Sequence, residues 1–339
     1  MHAGTVAAAL IVTACPAVVH AAFPTATITN GKLTATLALP DAEQGYYRGT
    51  RFDHSGIVTS LAFAGHELIT PWSEINDPDV ADYEYRGEQI ATGINTTMVG
   101  VPEEFGSSTR TAQGFEEAAP GGHFLKIGVG LLRRPDDKPY DHYRLYDVLQ
   151  GGWHVSRRRS AVSFRQRVDD AASGYGYLYT KKVSLVHGTA RMRIEHVLRN
   201  TGRKPISGFV FDHNFTRWDH QTPGPDWSMR FAFDPQPVDL PADAPLGFAG
   251  RTATFTRALQ GRESMRVVLK GYPGDPSAYD FRFENRRLDL GLRVTADQPL
   301  WQLVIWGNRA VFAIEPFIHY DIAPGAEYRW TYDYDIYQP

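Results

Sequence analysis

Short stretches in which apolar and polar residues alternate recur along most of the 339-residue sequence. Neighbouring side chains of a β-strand point to opposite faces, so a period of two indicates strands with one buried face. Thr25–Leu39 alternates around Asn30-Gly31, a dipeptide typical of tight hairpin turns. The same pattern occurs in Gly56–Ile69 and in Lys181–Ile206. A chain patterned in this way is expected to build antiparallel sheets from hairpins.

Further strands are expected throughout the chain, including Phe124–Leu132, Trp153–Val168, Ser207–Phe215, Leu300–Ile305, Val311–Ile314 and Glu327–Tyr337. Helical periodicity is nearly absent. Many short strands separated by Gly and Pro turns predict an all-β fold, a large antiparallel β-sandwich. Without a low-complexity linker or a repeat, residues 22–339 are expected to form one domain. The irregular segment Pro71–Pro120 is long for a structureless loop, so we expect it to cover the sheet or line a site.

The composition limits the classes of partner. Lys and Arg number 35 against 38 Asp and Glu, a net charge of −3, which gives no electrostatic reason to expect nucleic acid. Aromatic residues make up 12% of the chain and suit sugar rings, whose C–H faces stack on aromatic planes. No set of His and carboxylate residues has metal-ligand spacing, so neither a metal nor another cofactor is expected.

The N-terminus resembles an export signal. An apolar run ends in Val19-His20-Ala21, with small residues at the cleavage positions, and is too short to span a membrane comfortably. We therefore expect residues 1–21 to be a signal peptide and the protein to be periplasmic or extracellular. In an alternative interpretation, Val12-Thr13-Ala14-Cys15 is a lipoprotein box and Cys15, the only cysteine, carries a lipid anchor.

Three segments could carry chemistry. His213 follows the apolar run Phe209–Phe211, beside Asp212, which could orient its ring; histidine suits proton transfer near neutral pH. Glu315 lies in an apolar strand before Pro316, where a carboxylate is costly to bury unless paired or functional. Arg51 could bind ligand hydroxyls or a carboxylate. A purely structural role remains open for each of the three. His213 could be a histidine at a strand end, Glu315 an exposed glutamate at a sheet edge, and Arg51 an arginine in an ion pair.

The order of these segments resembles the galactose mutarotase-like superfamily, which includes the aldose 1-epimerases. Lys181–Arg203 resembles the superfamily's two central strands and the Asn-containing turn that follows them. Val210–Phe215 resembles the superfamily's strand that ends in a histidine, with an aromatic residue two positions later. Ala313–Phe317 resembles its apolar-Glu-Pro strand, and Ala323–Tyr334 its closing turn and last strand.

The resemblance implies a sugar site on a concave sheet of a galactose mutarotase-like sandwich. In aldose epimerases a histidine protonates the ring oxygen while a glutamate takes the proton of the anomeric hydroxyl. Carried over, His213 is the acid, Glu315 is the base, and Arg51 binds the ligand.

Other positions of the family pattern match less closely. The family's second histidine corresponds to His123 or His154, and its usual Asn before the catalytic histidine is Asp212 here. Arg217 and Trp218 replace the family's Asn-Leu, and they could clamp and stack against a sugar. We therefore count all five among the expected substrate-binding residues.

Three functions fit this pattern. The first is an exported, aldose 1-epimerase-like isomerase acting on a mono- or oligosaccharide. The second is a lyase or related enzyme on a uronic acid-containing saccharide, in which Arg51, Arg157 or Arg217 neutralises the carboxylate. The third is a carbohydrate-binding protein without catalysis. One sandwich hosts several functions, so the fold cannot select among them.

Overall fold

A computed structural model describes residues 23–238 and 240–339. The expected signal peptide and the alternative lipid site at Cys15 lie outside these residues. The described residues form 27 β-strands and two 3₁₀ turns, Trp218–His220 and Pro276–Ala278, and no α-helix. The strands are β1 (Thr25–Thr29), β2 (Leu33–Ala38), β3 (Val58–Phe63), β4 (His66–Glu67), β5 (Ile75–Asn76), β6 (Tyr83–Arg86), β7 (Gln89–Thr92), β8 (Glu103–Ser107), β9 (His123–Lys126), β10 (Gly130–Arg133), β11 (Val148–Gln150), β12 (Trp153–Arg158), β13 (Ala161–Asp169), β14 (Gly176–Leu185), β15 (Arg191–Asn200), β16 (Ile206–Asp212), β17 (Asn214–Thr216), β18 (Trp227–Phe231), β19 (Gln236–Val238), β20 (Leu246–Ala249), β21 (Thr252–Phe255), β22 (Ser264–Lys270), β23 (Asp280–Asn285), β24 (Leu290–Ala296), β25 (Gln302–Asn308), β26 (Phe312–Ile322) and β27 (Glu327–Tyr337).

Two large antiparallel sheets dominate the fold. The first has ten strands in the order β12-β13-β14-β15-β27-β24-β23-β18-β21-β20. The second has seven strands: β19-β22-β25-β26-β16-β8 in order, with β17 also paired to β26. Smaller sheets are formed by β1–β4, by β9–β11 and by β5–β7.

The inner faces of the two large sheets share one apolar core. Phe312 on β26 contacts Trp227 on β18 of the other sheet, with ring centroids 5.1 Å apart, and Phe255 on β21 at 5.3 Å. At another point Phe105 on β8 meets Trp330 on β27 at 6.1 Å. This pairing of inner faces is the expected β-sandwich.

Hairpins link many neighbouring strands, as the sequence predicts. Gly31 turns between β1 and β2 with φ of 90°, in the left-handed region that favours glycine. The prediction that Phe124–Leu132 forms one strand was wrong. These residues form most of the hairpin β9–β10, which turns through Ile127–Val129, with Gly128 at φ of 79°. A continuous apolar run hid this turn, because both strands bury their side chains.

Within residues 23–238 and 240–339, no helix has the length and apolar character needed to cross a membrane.

Candidate active site

A cavity of about 390 Å³ opens on the face of the seven-stranded sheet that points away from the shared core. Its volume falls in the usual range of ligand pockets, roughly 300–1,000 Å³. His213 and Glu315 both line it. Part of the wall comes from the segment Pro71–Pro120, as expected, through Trp72, Asp82, Tyr83, Thr96, Glu104 and Arg110.

His213 lies in a one-residue gap between β16 and β17. The register on either side, Phe211 with Phe317 and Asn214 with Ile314, puts His213 opposite Glu315 and Asp212 opposite Pro316. Phe317 accepts a backbone hydrogen bond from Trp301 on the β25 side, so the backbone of the preceding residue, Pro316, points toward β16 and β17. Proline has no N–H to donate to Asp212 opposite it, so the ladder lacks that hydrogen bond, and β16 ends at Asp212. The His213 N–H points to the β8 side and donates to the carbonyl of Pro102, at 3.0 Å. β26 itself continues through Pro316 to Ile322.

The His213 imidazole lies between two carboxylates. Its Nδ1 is 3.0 Å from Oε1 of Glu315, within the distance of an ion pair. Its Nε2 is 3.6 Å from Oε2 of Glu104, and among the described residues it has no hydrogen-bond partner. Burial lowers the pKa of His213, but Glu315 and Glu104 more than offset this effect, so its pKa is raised. The surroundings therefore favour the charged, donating form of the imidazole.

Glu104 is held ionised by surrounding cations. Burial acts to raise its pKa, but Arg51 and Lys126 outweigh burial and hold the pKa well below its usual range. The Nε of Arg51 is 2.8 Å from Oε2 of Glu104, and Nζ of Lys126 is 3.8 Å from Oε1. Nη1 of Arg51 lies 3.1 Å from Asp82, so this guanidinium fixes two acidic side chains of the wall.

Aromatic rings surround the acid–base pair. The ring centroid of Phe211 lies 4.6 Å from that of His213, Phe52 lies at 5.0 Å and Phe215 at 5.6 Å. These rings exclude water from the imidazole, which strengthens its ionic interactions. They also give the cavity apolar faces of the kind that sugar rings cover.

A second ionic cluster lies directly behind the site, because neighbouring residues of a strand face opposite ways. Glu104 points into the cavity, whereas Glu103 points into the core. There Glu103 contacts Lys181 (3.1 Å) and His196 (2.8 Å), and Lys181 also lies 3.3 Å from Asp53. All four of these core side chains are almost fully buried.

The arrangement suits proton transfer at a polarised oxygen. It offers an imidazolium donor and a carboxylate acceptor in contact within one cavity. Among the described residues, no three or more His, Cys, Asp or Glu side chains are grouped to hold a metal ion.

Known proteins resemble this chain in structure. An aldose 1-epimerase-like protein of Escherichia coli K12 superposes with a TM-score of 0.57 at 12% identity, covering 93% of this chain and 99% of that one. An aldose epimerase homologue of C. elegans superposes with a TM-score of 0.55 at 16% identity, covering 94% of this chain and 99% of that one. A galactose mutarotase-related enzyme of Lactobacillus acidophilus superposes with a TM-score of 0.55 at 12% identity, covering 93% of this chain and 97% of that one. The chain has the galactose mutarotase-like fold. By sequence, no family model and no curated protein matches it.

In this mutarotase-like chain, the two candidates for a second histidine lie outside the cavity. His123, on β9, faces Asp170 at 3.5 Å in a separate surface depression. His154 is exposed on β12, the edge strand of the ten-stranded sheet. Neither position supports a role beside His213.

Three further expected ligand contacts also lie away from the cavity. Asp212 faces the core behind His213, near the hydroxyls of Tyr279 (3.4 Å) and Tyr334 (3.5 Å), and burial raises its pKa well above the usual value. Trp218 is 1% exposed and packs on Trp227. Arg217 donates to the carbonyl of Pro71. Strand alternation accounts for Asp212, while Trp218 is simply a core residue.

Arg51 lines the cavity, and its guanidinium is largely engaged by Glu104 and Asp82. Sequence reasoning missed Glu104. Its signal was the adjacent pair Glu103-Glu104 between Val101-Pro102 and Phe105, since two acids in an apolar stretch require partners.

Proposed function

We propose that this protein catalyses the interconversion of the α and β anomers of an aldose, with His213 as the acid and Glu315 as the base. The observation that carries the proposal is the direct contact of the two groups in the wall of one cavity. The fold shared with aldose epimerase-like proteins supports a sugar as ligand.

The reaction starts with Glu315 ionised and His213 protonated. Glu315 takes the proton of the C1 hydroxyl while Nε2 of His213 donates one to the ring oxygen. The bond from C1 to the ring oxygen breaks and a C1 carbonyl forms. Rotation about C1–C2 presents the other carbonyl face, and the reverse transfers close the ring. No net proton is consumed, so the site ends each turnover as it began.

Both groups are restored when the ring closes. After ring opening, Glu315 is protonated and His213 is neutral. On closure Glu315 returns its proton to the C1 oxygen, and Nε2 of His213 takes back the proton of the hydroxyl formed from the ring oxygen. Glu104 stays ionised beside Nε2 and stabilises the imidazolium at the start and end of each turnover.

The test is polarimetry of freshly dissolved single anomers from a panel of neutral and acidic aldoses. We expect faster mutarotation of at least one sugar than in buffer alone, in proportion to enzyme concentration. Absence of acceleration across the panel would contradict the proposal. Calorimetric binding of a sugar without acceleration would point instead to a carbohydrate-binding protein.

A further inference from the structure

The cavity extends well beyond the acid–base pair, along β26. Residues two apart on a strand share a face and lie about 6.7 Å from each other. Glu315 is therefore followed on the same face by Phe317, whose ring stacks on Phe211 with centroids 3.9 Å apart and planes 8° apart. Phe209 continues this surface, 5.5 Å from Phe317, and it also lines the cavity.

A tryptophan borders this end of the cavity. Trp301 is 39% exposed, whereas most large aromatic side chains of the described residues are buried. Its ring lies nearly parallel to that of Phe209, with centroids 5.5 Å and planes 22° apart. An indole held in place by packing but open to solvent offers a ready stacking surface.

An arginine in a costly backbone conformation completes this end. Arg110 has φ of 64°, in the left-handed region that favours glycine, within the turn closed between Ser107 and Thr111. Its guanidinium lies 5.5 Å from the Trp301 ring centroid and donates to Oε1 of Gln302 at 2.7 Å. Strained residues persist where surrounding structure holds them, and they cluster at ligand sites.

We propose that Phe209, Trp301, Arg110 and Gln302 form a subsite for a second sugar ring, so that the substrate is a saccharide of at least two units. This inference rests on the proposed function, which places the reducing-end ring at His213 and Glu315. The next ring stacks on the aromatic surface, and Arg110 and Gln302 donate hydrogen bonds to its hydroxyls. A single ring at His213 leaves these four side chains without a role.

The test compares kcat/KM for reducing disaccharides (lactose, maltose and cellobiose) with kcat/KM for their component monosaccharides. We expect a disaccharide to be preferred, and Trp301→Ala to lower the disaccharide-to-monosaccharide ratio by roughly 3- to 10-fold, since an aromatic stacking contact contributes about 0.5–1.5 kcal/mol. Arg110→Ala should lower the same ratio. Trp301→Phe should retain most of it, and Arg133→Ala, at an exposed position outside the cavity, should leave it unchanged.

Equal kcat/KM for both classes of sugar, or an unchanged ratio in Trp301→Ala, would overturn the subsite. If the wild type accelerates no mutarotation, the proposed function fails, and calorimetry with the same sugars still decides the subsite. Tighter binding of a disaccharide that Trp301→Ala removes would support it. Equal affinities, or no binding, would overturn it.

Discussion

His213 owes its chemistry to its immediate neighbours. In water an imidazole is about half protonated near pH 6.5. Here Glu315 and Glu104 retain the proton against the cost of burial, and Arg51 and Lys126 keep Glu104 ionised. The result is an imidazole whose charged, donating form is favoured within an aromatic enclosure, and acid catalysis at a ring oxygen uses that form.

Removal of either proton-transfer group should abolish most of the activity. We expect His213→Gln and Glu315→Gln each to lower kcat by about 10²–10⁴, the usual contribution of a general acid or base. Polarimetry on the best sugar of the panel measures this. The matched control, His123→Gln, alters a histidine outside the cavity and should keep wild-type kcat. Equal losses in the control and in His213→Gln would contradict the assignment.

Activity should decline on the alkaline side. The acid works only when protonated, and the pKa of His213 is raised, so kcat/KM should fall as pH increases past a value above about 6.5. Glu104→Gln removes one charge that raises this pKa, so the alkaline limb should move to lower pH. Glu117→Gln, at an exposed carboxylate of a separate depression, should leave the profile in place. If the alkaline limb of the kcat/KM profile does not move in Glu104→Gln, a group other than His213 causes the loss of activity.

The free energy of unfolding should also depend on the protonation of His213. A group with a raised pKa in the folded state stabilises the fold below its unfolded pKa, about 6.5, and this contribution is lost as pH rises through the folded pKa. The difference in unfolding free energy between wild type and His213→Gln should therefore shrink from mildly acidic to alkaline pH. Urea titrations at several pH values measure this difference. A difference that grows with pH would contradict a raised pKa.

Strand alternation explains which parts of the site the sequence could predict. The sequence predicted a role for His213 and Glu315 because each stands out at an apolar strand. The core-facing direction of Asp212 follows from alternation along β16, since Val210 lies in the core while Phe211 and His213 line the cavity. Trp218 was misjudged because a tryptophan in a polar segment can pack inward as readily as outward.

The core-facing side of the same strands carries a costly ionic cluster. Lys181→Met should leave Glu103 and Asp53 buried without their cation and destabilise the protein by about 3–5 kcal/mol. Its neighbour Lys182 points to solvent and pairs only with exposed Glu195, so Lys182→Met should cost less than about 1 kcal/mol. Urea unfolding compares the two variants. A similar small effect in both would mean that the buried cation does not stabilise the fold.

At the scale of the whole molecule, the sequence predicted the sandwich well. Alternation and hairpin dipeptides are local signals, and they sufficed for the β1–β2, β3–β4 and β14–β15 hairpins. The cavity wall was harder to predict, because Asp82, Glu104 and Arg110 reach it only through long-range pairing of strands. Only the folded chain brings these side chains to His213.

Export remains a prediction for the intact protein. Expressed in a Gram-negative bacterial host, this chain should reach the periplasm and begin at Ala22, or alternatively at Phe23, since small residues precede both positions. Cell fractionation with N-terminal sequencing measures this. A mature chain that begins with a lipidated Cys15 would favour the lipoprotein alternative, and an uncleaved cytoplasmic chain would contradict both.

The two ends of the cavity along β8 and β16 differ in how freely their residues can be substituted. At Glu104 and His213 the preceding residue, Glu103 or Asp212, belongs to the buried polar interior, so a backbone shift there disturbs the site and the fold together. Phe209 is followed by Val210, an ordinary apolar core residue. Evolution, or an engineer, can therefore retune sugar preference at the Phe209–Trp301 end while the acid–base end stays fixed.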